Sequence, residues 1–272
     1  MNISDFIRNS ITITYKDNST KGIGLTRCGG APDVPANFEW PTFVTNTYED
    51  EVIKPHSLAF LAQFRCEDLT KYDKDHLLPE KGLLSFFYEF GSQRWGFDPE
   101  DSGCARVFWF EDAENLVRAD FPDDLPEEFR FEQKDISLKA MDSYPDLEDC
   151  DSLDIDGDDD DYCEMLEEMI GIGECSDGAK LLGWANLVQG NITMECELIS
   201  RHYYLGGSWS EIPATDRKYA EEHSIEDWQL LLQLDSEGDF MFGDCGKIYF
   251  YIKKEDLKAK RFDRVWLVLQ CY

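Results

Sequence analysis

Positive charge is what this chain has least of. Lys and Arg together number 26 against 57 Asp and Glu, a formal net charge of −31. Proteins bind nucleic acid by displacing its condensed counterions with their own cations, so no nucleic-acid partner is expected. An anionic membrane surface is disfavoured on the same ground. Long apolar runs are also missing, since none approaches the ~20 residues that span a bilayer. The opening Met1–Phe6 has neither a basic start nor a long apolar stretch, so no secretory signal is expected. The nine cysteines are irregularly spaced and contain no CxxC pair, which excludes a zinc ribbon and a thioredoxin-like motif. Scattered thiols of odd number suit a reducing compartment, and the expected location is cytoplasmic.

Catalytic signatures are equally scarce. The four histidines, His56, His76, His202 and His223, form no HExxH pattern. Gly206-Gly207-Ser208-Trp209-Ser210 has the wrong spacing for a nucleophile elbow. Gly22-Ile23-Gly24 and Gly171-Ile172-Gly173 are incomplete as dinucleotide motifs, and there is no P-loop. The sequence therefore nominates no catalytic residue, no metal ligand and no cofactor. A Cys–His dyad assembled only by folding leaves no such trace.

What is abundant is aromatic and apolar surface. Hydrophobic residues make up 42% of the chain and aromatics 14%, which excludes global disorder. The apolar pattern is stated twice. Leu58-Ala59-Phe60-Leu61-Ala62-Gln63 leads through a loop to Gly82-Leu83-Leu84-Ser85-Phe86-Phe87-Tyr88. Leu230-Leu231-Leu232-Gln233-Leu234 leads to Gly246-Lys247-Ile248-Tyr249-Phe250-Tyr251-Ile252. Apolar runs around Ile11–Tyr15, Ser57–Phe64, Leu83–Phe90, Arg106–Phe110, Phe129–Phe131, Leu187–Gln189, Met194–Ile199, Trp228–Leu234, Ile248–Ile252 and Val265–Leu269 read as strands. Short helices are predicted around Ser4–Asn9, Cys66–Tyr72, Met165–Ile172, Asp216–His223 and Lys254–Lys260. Most strand-to-strand gaps are too short for helical crossovers. The expected fold is α+β and mainly antiparallel, with two similar packed lobes from an internal duplication. Lobe one covers about 1–140 and lobe two about 180–272 within a single domain.

Between the lobes lies an acidic stretch, 141–179, with sixteen Asp or Glu and no Lys or Arg. It carries about half of the net charge and reads as a solvated connection. Aligning a calcium loop on Gly157 puts Ser152 first and Cys163 twelfth, so the first ligand is weak and the bidentate glutamate is missing. Loose divalent binding by the clustered carboxylates stays open as an alternative.

An ordered set of motifs carries a family resemblance over roughly Cys28–Gln270. Gly29-Gly30-Ala31-Pro32-Asp33-Val34-Pro35 precedes Trp40-Pro41, Leu61-Ala62-Gln63, and Leu78-Pro79 with Gly82-Leu83-Leu84-Ser85-Phe86-Phe87. Trp95-Gly96-Phe97-Asp98 follows, then Leu181-Leu182-Gly183-Trp184 with Gln189-Gly190, Leu231-Leu232-Gln233 and Gly243-Asp244-Cys245-Gly246. This set resembles the YwqG-like family of uncharacterised bacterial proteins. The acidic stretch, and Ala185 where the family has proline, are departures. The resemblance implies one α+β unit with an internal duplication and implies no activity. Some members resemble neighbours of secreted-toxin systems, which suggests an immunity role.

Two sets of residues could carry function. Gln63, Gln189 and Gln233 end apolar runs; each can satisfy stray backbone groups or line a polar pocket between the lobes. Trp95, Asp98 and Asp244 sit in turns and complete that pocket set, which would serve an enzyme or a small-ligand binder. The second set is Asp156, Asp158, Asp159, Asp160 and Asp161, an anionic face that would attract a basic protein. The leading expectation is a non-enzymatic binding protein whose acidic surface engages a cationic protein partner, with toxin neutralisation as its specific form.

Overall fold

The computed structural model describes residues 3–153, 162 and 178–272. The candidates Asp156, Asp158, Asp159, Asp160 and Asp161, and the helix expected at Met165–Ile172, lie outside the described residues. The chain opens with β1 (Arg8–Tyr15), followed by the short strands β2 (Arg27–Cys28), β3 (Asp33–Pro35), β4 (Thr42–Thr45) and β5 (Lys54–Ser57). A meander of β6 (Ala59–Arg65), β7 (Leu83–Tyr88) and β8 (Ala105–Phe110) comes next, then β9 (Leu116–Arg118) and β10 (Lys134–Ser143). The later strands are β11 (Lys180–Leu182), β12 (Trp228–Asp235), β13 (Lys247–Lys253) and β14 (Trp266–Gln270). The helices are few: α1 (Cys66–Leu69), α2 (Leu147–Leu153), α3 (Ile192–Ser200), α4 (Ala214–Asp227) and α5 (Lys254–Lys258). Among the described residues no helix is long and apolar enough to cross a membrane. The fold is α+β and its strand pairs are antiparallel.

Ten strands form one sheet in the order β14-β13-β12-β11-β1-β10-β2-β6-β7-β8. The two meanders occupy its ends. At its centre the strands cross over: β1 bonds to β10 and β11, and β10 bonds to β1 and β2. The register of β1 with β10 runs from Arg8 opposite Ser143 to Tyr15 opposite Ile136. Each meander also carries a bulge two residues ahead of its glutamine: the pairing shifts between Phe60 and Ala62 in one, and between Leu230 and Leu232 in the other.

The side-chain period of two sorts the aromatics into layers. Leu84, Phe86 and Tyr88 point into the main core, and so do Ile248, Phe250 and Ile252. The sheet curls enough for the Phe86 and Phe250 rings to meet edge to face, 5.3 Å between centroids. On the outer face, Phe87 packs with Leu58 and Phe60 under Phe38 and Trp40. Tyr249 and Tyr251 pack with Ile192 and Cys196 of α3. Both faces of β7 and β13 are therefore buried, which explains their continuous apolar runs.

Several local expectations fail for identifiable reasons. Met194–Ile199 is helical, not a strand. Met194, Cys196 and Leu198 alternate, but Ile192, Cys196 and Ile199 also follow the helical period, and the Asn191 side chain caps the N-terminus by accepting from the Met194 N–H at 3.1 Å. The helix expected at Ser4–Asn9 is one 3₁₀ turn, Ile3–Phe6, because Arg8 already enters β1. Phe129 closes a 3₁₀ turn, and Leu187–Gln189 is irregular. Strand β10 carries little sequence signal because its faces are only half-buried and its alternation is weak. All six cysteines whose state is described, Cys28, Cys66, Cys104, Cys196, Cys245 and Cys271, are free thiols.

Two carboxyls near α3 are poorly solvated, Asp149 buried and Glu195 half-buried. Asp149 of α2 is 4% exposed and accepts from the Asn191 side chain at 3.2 Å. Burial pushes its pKa up from 3.8 to about 7, and Asp146 adds repulsion. Glu195, in the first turn of α3, rises from 4.5 to about 7 by burial alone. The folded state thus holds these protons to near neutrality, while the unfolded chain releases them near pH 4. Between those limits the unfolded state binds fewer protons, so the stability these groups contribute is full below about pH 4 and is lost as pH rises through about 7. Replacing both, Asp149→Asn with Glu195→Gln, is expected to stabilise the protein by a few kcal/mol above neutrality relative to the parent and to leave acidic stability unchanged. Urea denaturation across pH 4 to 8 measures the difference.

Candidate functional site

The two repeated glutamines are fully buried, and each clamps a loop onto the sheet. Gln63 Oε1 accepts from the Asp33 N–H at 2.9 Å, and its Nε2 donates to Asp33 Oδ2 at 2.7 Å and to the Leu25 carbonyl at 2.8 Å. Gln233 Oε1 accepts from the Asn186 N–H at 2.9 Å, and its Nε2 donates to Asn186 Oδ1 at 3.2 Å and to the Gly178 carbonyl at 2.8 Å. Leu25 and Gly178 lie equally far ahead of Asp33 and Asn186 along the chain. A buried cation stands in register beside each glutamine: Arg27 beside Gln63 and Lys180 beside Gln233, both 1% exposed. Each is followed by two consecutive residues with left-handed backbone, Gly29-Gly30 and Leu182-Gly183.

The first clamp is ionic. Asp33 accepts from Arg118 Nε at 2.5 Å and lies 3.6 Å from Arg27 Nη2. Arg27 also donates to the Gly29 and Ala31 carbonyls. Burial pulls the Arg27 pKa down to about 10, and Asp33 opposes that shift. This chemistry holds structure together: both amide donors and the carbonyl of each glutamine are already engaged. Gln189 is also committed, with its Nε2 donating to the Cys271 carbonyl at 2.7 Å. Gln270, which the sequence did not single out, accepts from the Val188 and Gln189 N–H groups at 3.1 Å each. Asp244 is exposed in the turn before β13.

Trp95 and Asp98 do share a concavity. They line a depression of about 390 Å³ with Arg94, Asp101, Tyr48 and Tyr204. Its wall is pinned to the sheet edge, where the Leu269 N–H donates to the Trp95 carbonyl at 3.0 Å and Trp266 Nε1 donates to the Gly96 carbonyl at 3.0 Å. Gly96 is required there: its φ is +82°, and a Cβ would stand 1.9 Å from the Leu267 carbonyl oxygen. Asp98 caps the 3₁₀ turn that follows, accepting from the Glu100 N–H at 2.9 Å. Gln63, Gln189, Gln233 and Asp244 are not among the residues lining this depression.

A second depression adjoins the first across Thr47, Tyr48 and Gln93, and the sequence did not suggest it. It measures about 530 Å³ and lies between the β4–β5 hairpin, residues 89–93 and the loop 124–129. Phe90 and Phe129 give it aromatic walls. Its charged lining is one-sided: Glu49, Asp50, Glu89, Asp124 and Glu128 against Lys54. Lys54 is paired to Asp50 at 2.5 Å. Glu89, 2% exposed, accepts from the Gly91 and Ser92 N–H groups at 2.7 and 2.9 Å. Asp124 accepts from the Ser57 N–H at 3.0 Å and its hydroxyl at 2.9 Å. These donors are neutral, so the negative charge stays uncompensated. Nε2 of His56, also in the lining, is shielded from solvent and has no hydrogen-bond partner among the described residues. A trace of this site exists in Glu89-Phe90-Gly91-Ser92, a carboxylate closing an apolar strand just ahead of turn N–H groups. Asp124 leaves none, because Ser57 lies far away along the chain.

Among the described residues no three or more His, Cys, Asp or Glu side chains group to hold a metal ion. The model of a family described as a domain of unknown function (DUF1963) matches residues 26–271, so the chain belongs to that family. No curated protein matches the chain.

The clamps predict a sharp stability effect. Leucine at position 63 would leave the Asp33 N–H and carboxylate, the Leu25 carbonyl and Arg27 short of partners inside the core. Gln63→Leu and Gln233→Leu are each expected to cost about 3 kcal/mol or more in urea denaturation. A cost below 1 kcal/mol for both would show that the clamps are not structural.

Proposed function

We propose that this DUF1963-family protein is a non-enzymatic binding protein whose acidic surface engages a cationic protein partner. The observation that carries the reading is the depression beside the β4–β5 hairpin, where four carboxylates lack a cationic partner among the described residues and aromatic side chains form the walls. The whole-chain charge of −31 supports it, because a long-range negative field speeds encounter with a basic protein and repels acidic ones. Neutralisation of a basic toxin by occlusion is the specific form suggested by the YwqG-like resemblance, and that finer assignment within the family is part of the proposal.

The internal duplication belongs to the same reading. Support comes from the matched clamps, the buried cations in register with them, the paired left-handed residues and the bulges just ahead of each glutamine. On this view the two halves are side by side in one sheet and exchange their opening strands. The depression beside the hairpin has no counterpart in that repeat: β4 and β5 are an addition to the first half, as a specialised binding element would be.

The test is retention of proteins from a native-cell lysate on the immobilised full chain, eluted by a rising salt gradient. The expected result is a retained protein of basic isoelectric point, released as the Debye length falls from about 30 Å to about 8 Å. Retention of acidic proteins only, or elution indifferent to salt, refutes the proposal.

A further inference from the structure

The β4–β5 hairpin has a second property. It exposes Val44, Tyr48, Val52 and Ile53 at 60%, 77%, 62% and 71%, the largest concentration of exposed apolar side chains along the described chain. Val44 stands opposite Pro55 in the hairpin register, so those two share a face, and Val52 and Ile53 lie just ahead of β5. Phe43 and His56, opposite each other one step along, share the other face. Phe43 packs against the core, and His56 lines the acidic depression. The hairpin thus carries an apolar outer surface beside an anionic cavity. Protein interfaces combine these features: an apolar collar excludes water around a buried charged or aromatic anchor.

Resting on the proposed binding of a cationic protein, we infer that this hairpin is the docking element, and that its acidic depression takes one arginine side chain from an apolar-flanked segment of the partner. Arginine fits better than lysine for three reasons. A cavity of about 530 Å³ accommodates one long side chain. A planar guanidinium can lie against the rings of Phe129 and His56, where an ammonium gains less. Its five N–H donors can reach several acceptors at once. Those on offer are the spare lone pairs of Asp124 and Glu128. The apolar residues flanking the arginine would then cover Val44, Val52 and Ile53.

The experiment uses the full-length protein labelled for NMR and three blocked tripeptides: Leu-Arg-Leu, Gly-Arg-Gly and Leu-Lys-Leu. Shift perturbations are expected in residues 44–57, 89–93 and 124–129, with the leucine-flanked arginine binding tightest. The double variant Glu49→Gln/Glu128→Gln removes two exposed carboxylates that make no described hydrogen bond or ion pair. It should weaken Leu-Arg-Leu by about fivefold or more at low salt. A charge-matched control far from the hairpin, Glu221→Gln/Glu255→Gln, should change it by less than about twofold. Val52→Ser/Ile53→Ser should abolish the advantage of leucine over glycine flanks. Perturbations elsewhere, or equal weakening by the control, overturn the inference while leaving a general acidic binding surface standing. If none of the peptides binds while the lysate experiment still yields a salt-released basic partner, the arginine pocket alone is wrong. Failure in both experiments removes the binding reading as well.

Discussion

A buried backbone amide must find a partner, and in this protein two glutamines discharge that obligation at the points where the sheet would otherwise come apart. Gln63 and Gln233 each reach from a bulged strand to an incoming loop and bond the loop residue twice, once at its N–H and once at its side chain. The bulge and the clamp belong together. An extra residue interrupts the ladder, twists the strand and leaves polar groups unmatched. A side chain with both donor and acceptor capacity can close the gap where a leucine could not. The loops so held begin with β2 and β11, the two short strands through which the end meanders join the central pair β1 and β10.

The two clamps differ chemically. Asp33 brings a charge into the first, and Arg27 and Arg118 answer it; in the second the neutral Asn186 takes that place, and the glutamine amide also reaches the Asp235 carboxylate at 3.3 Å. Breaking one partner of a buried ionic cluster costs more than the cluster contributes as a whole, because the survivor stays charged in a medium that solvates it poorly. The ionic cluster makes the first clamp sensitive to loss of either partner. The first half also bears the hairpin and the acidic depression.

Much of the architecture was legible in the sequence. The apolar runs ending in Gln63 and around Gln233, and the aromatic runs Leu83–Tyr88 and Ile248–Ile252, were readable as strands, and they are strands. The structural role of the glutamines followed from the rule that buried amides are paired. What could not be read depended on tertiary partners. Met194–Ile199 satisfies two periods at once, and only the Asn191 cap and the shape of the outer face decide for helix. Strand β10 is defined by its bonds to β1, not by its own weak alternation. Of the pocket candidates, Trp95 and Asp98 came together because Gly96 presses their turn against β14. The acidic depression gathers residues from three separate segments. Pairings such as Asp124 with Ser57 have no signature in local sequence, since proximity across that many residues is created by the fold.

The crossing at the centre of the sheet has a consequence for how the molecule is made. Strand β1 leaves the ribosome well before its neighbours β10 and β11, which follow only after the whole first meander has emerged. During elongation its edges stay unsatisfied, as does the β10-facing edge of β2, so the nascent chain passes through a stage with adhesive strand margins and no mate for them. Such long-range pairing slows maturation. A dense negative charge is then useful well before any ligand is met, because it holds neighbouring nascent chains apart while each waits for its own later half.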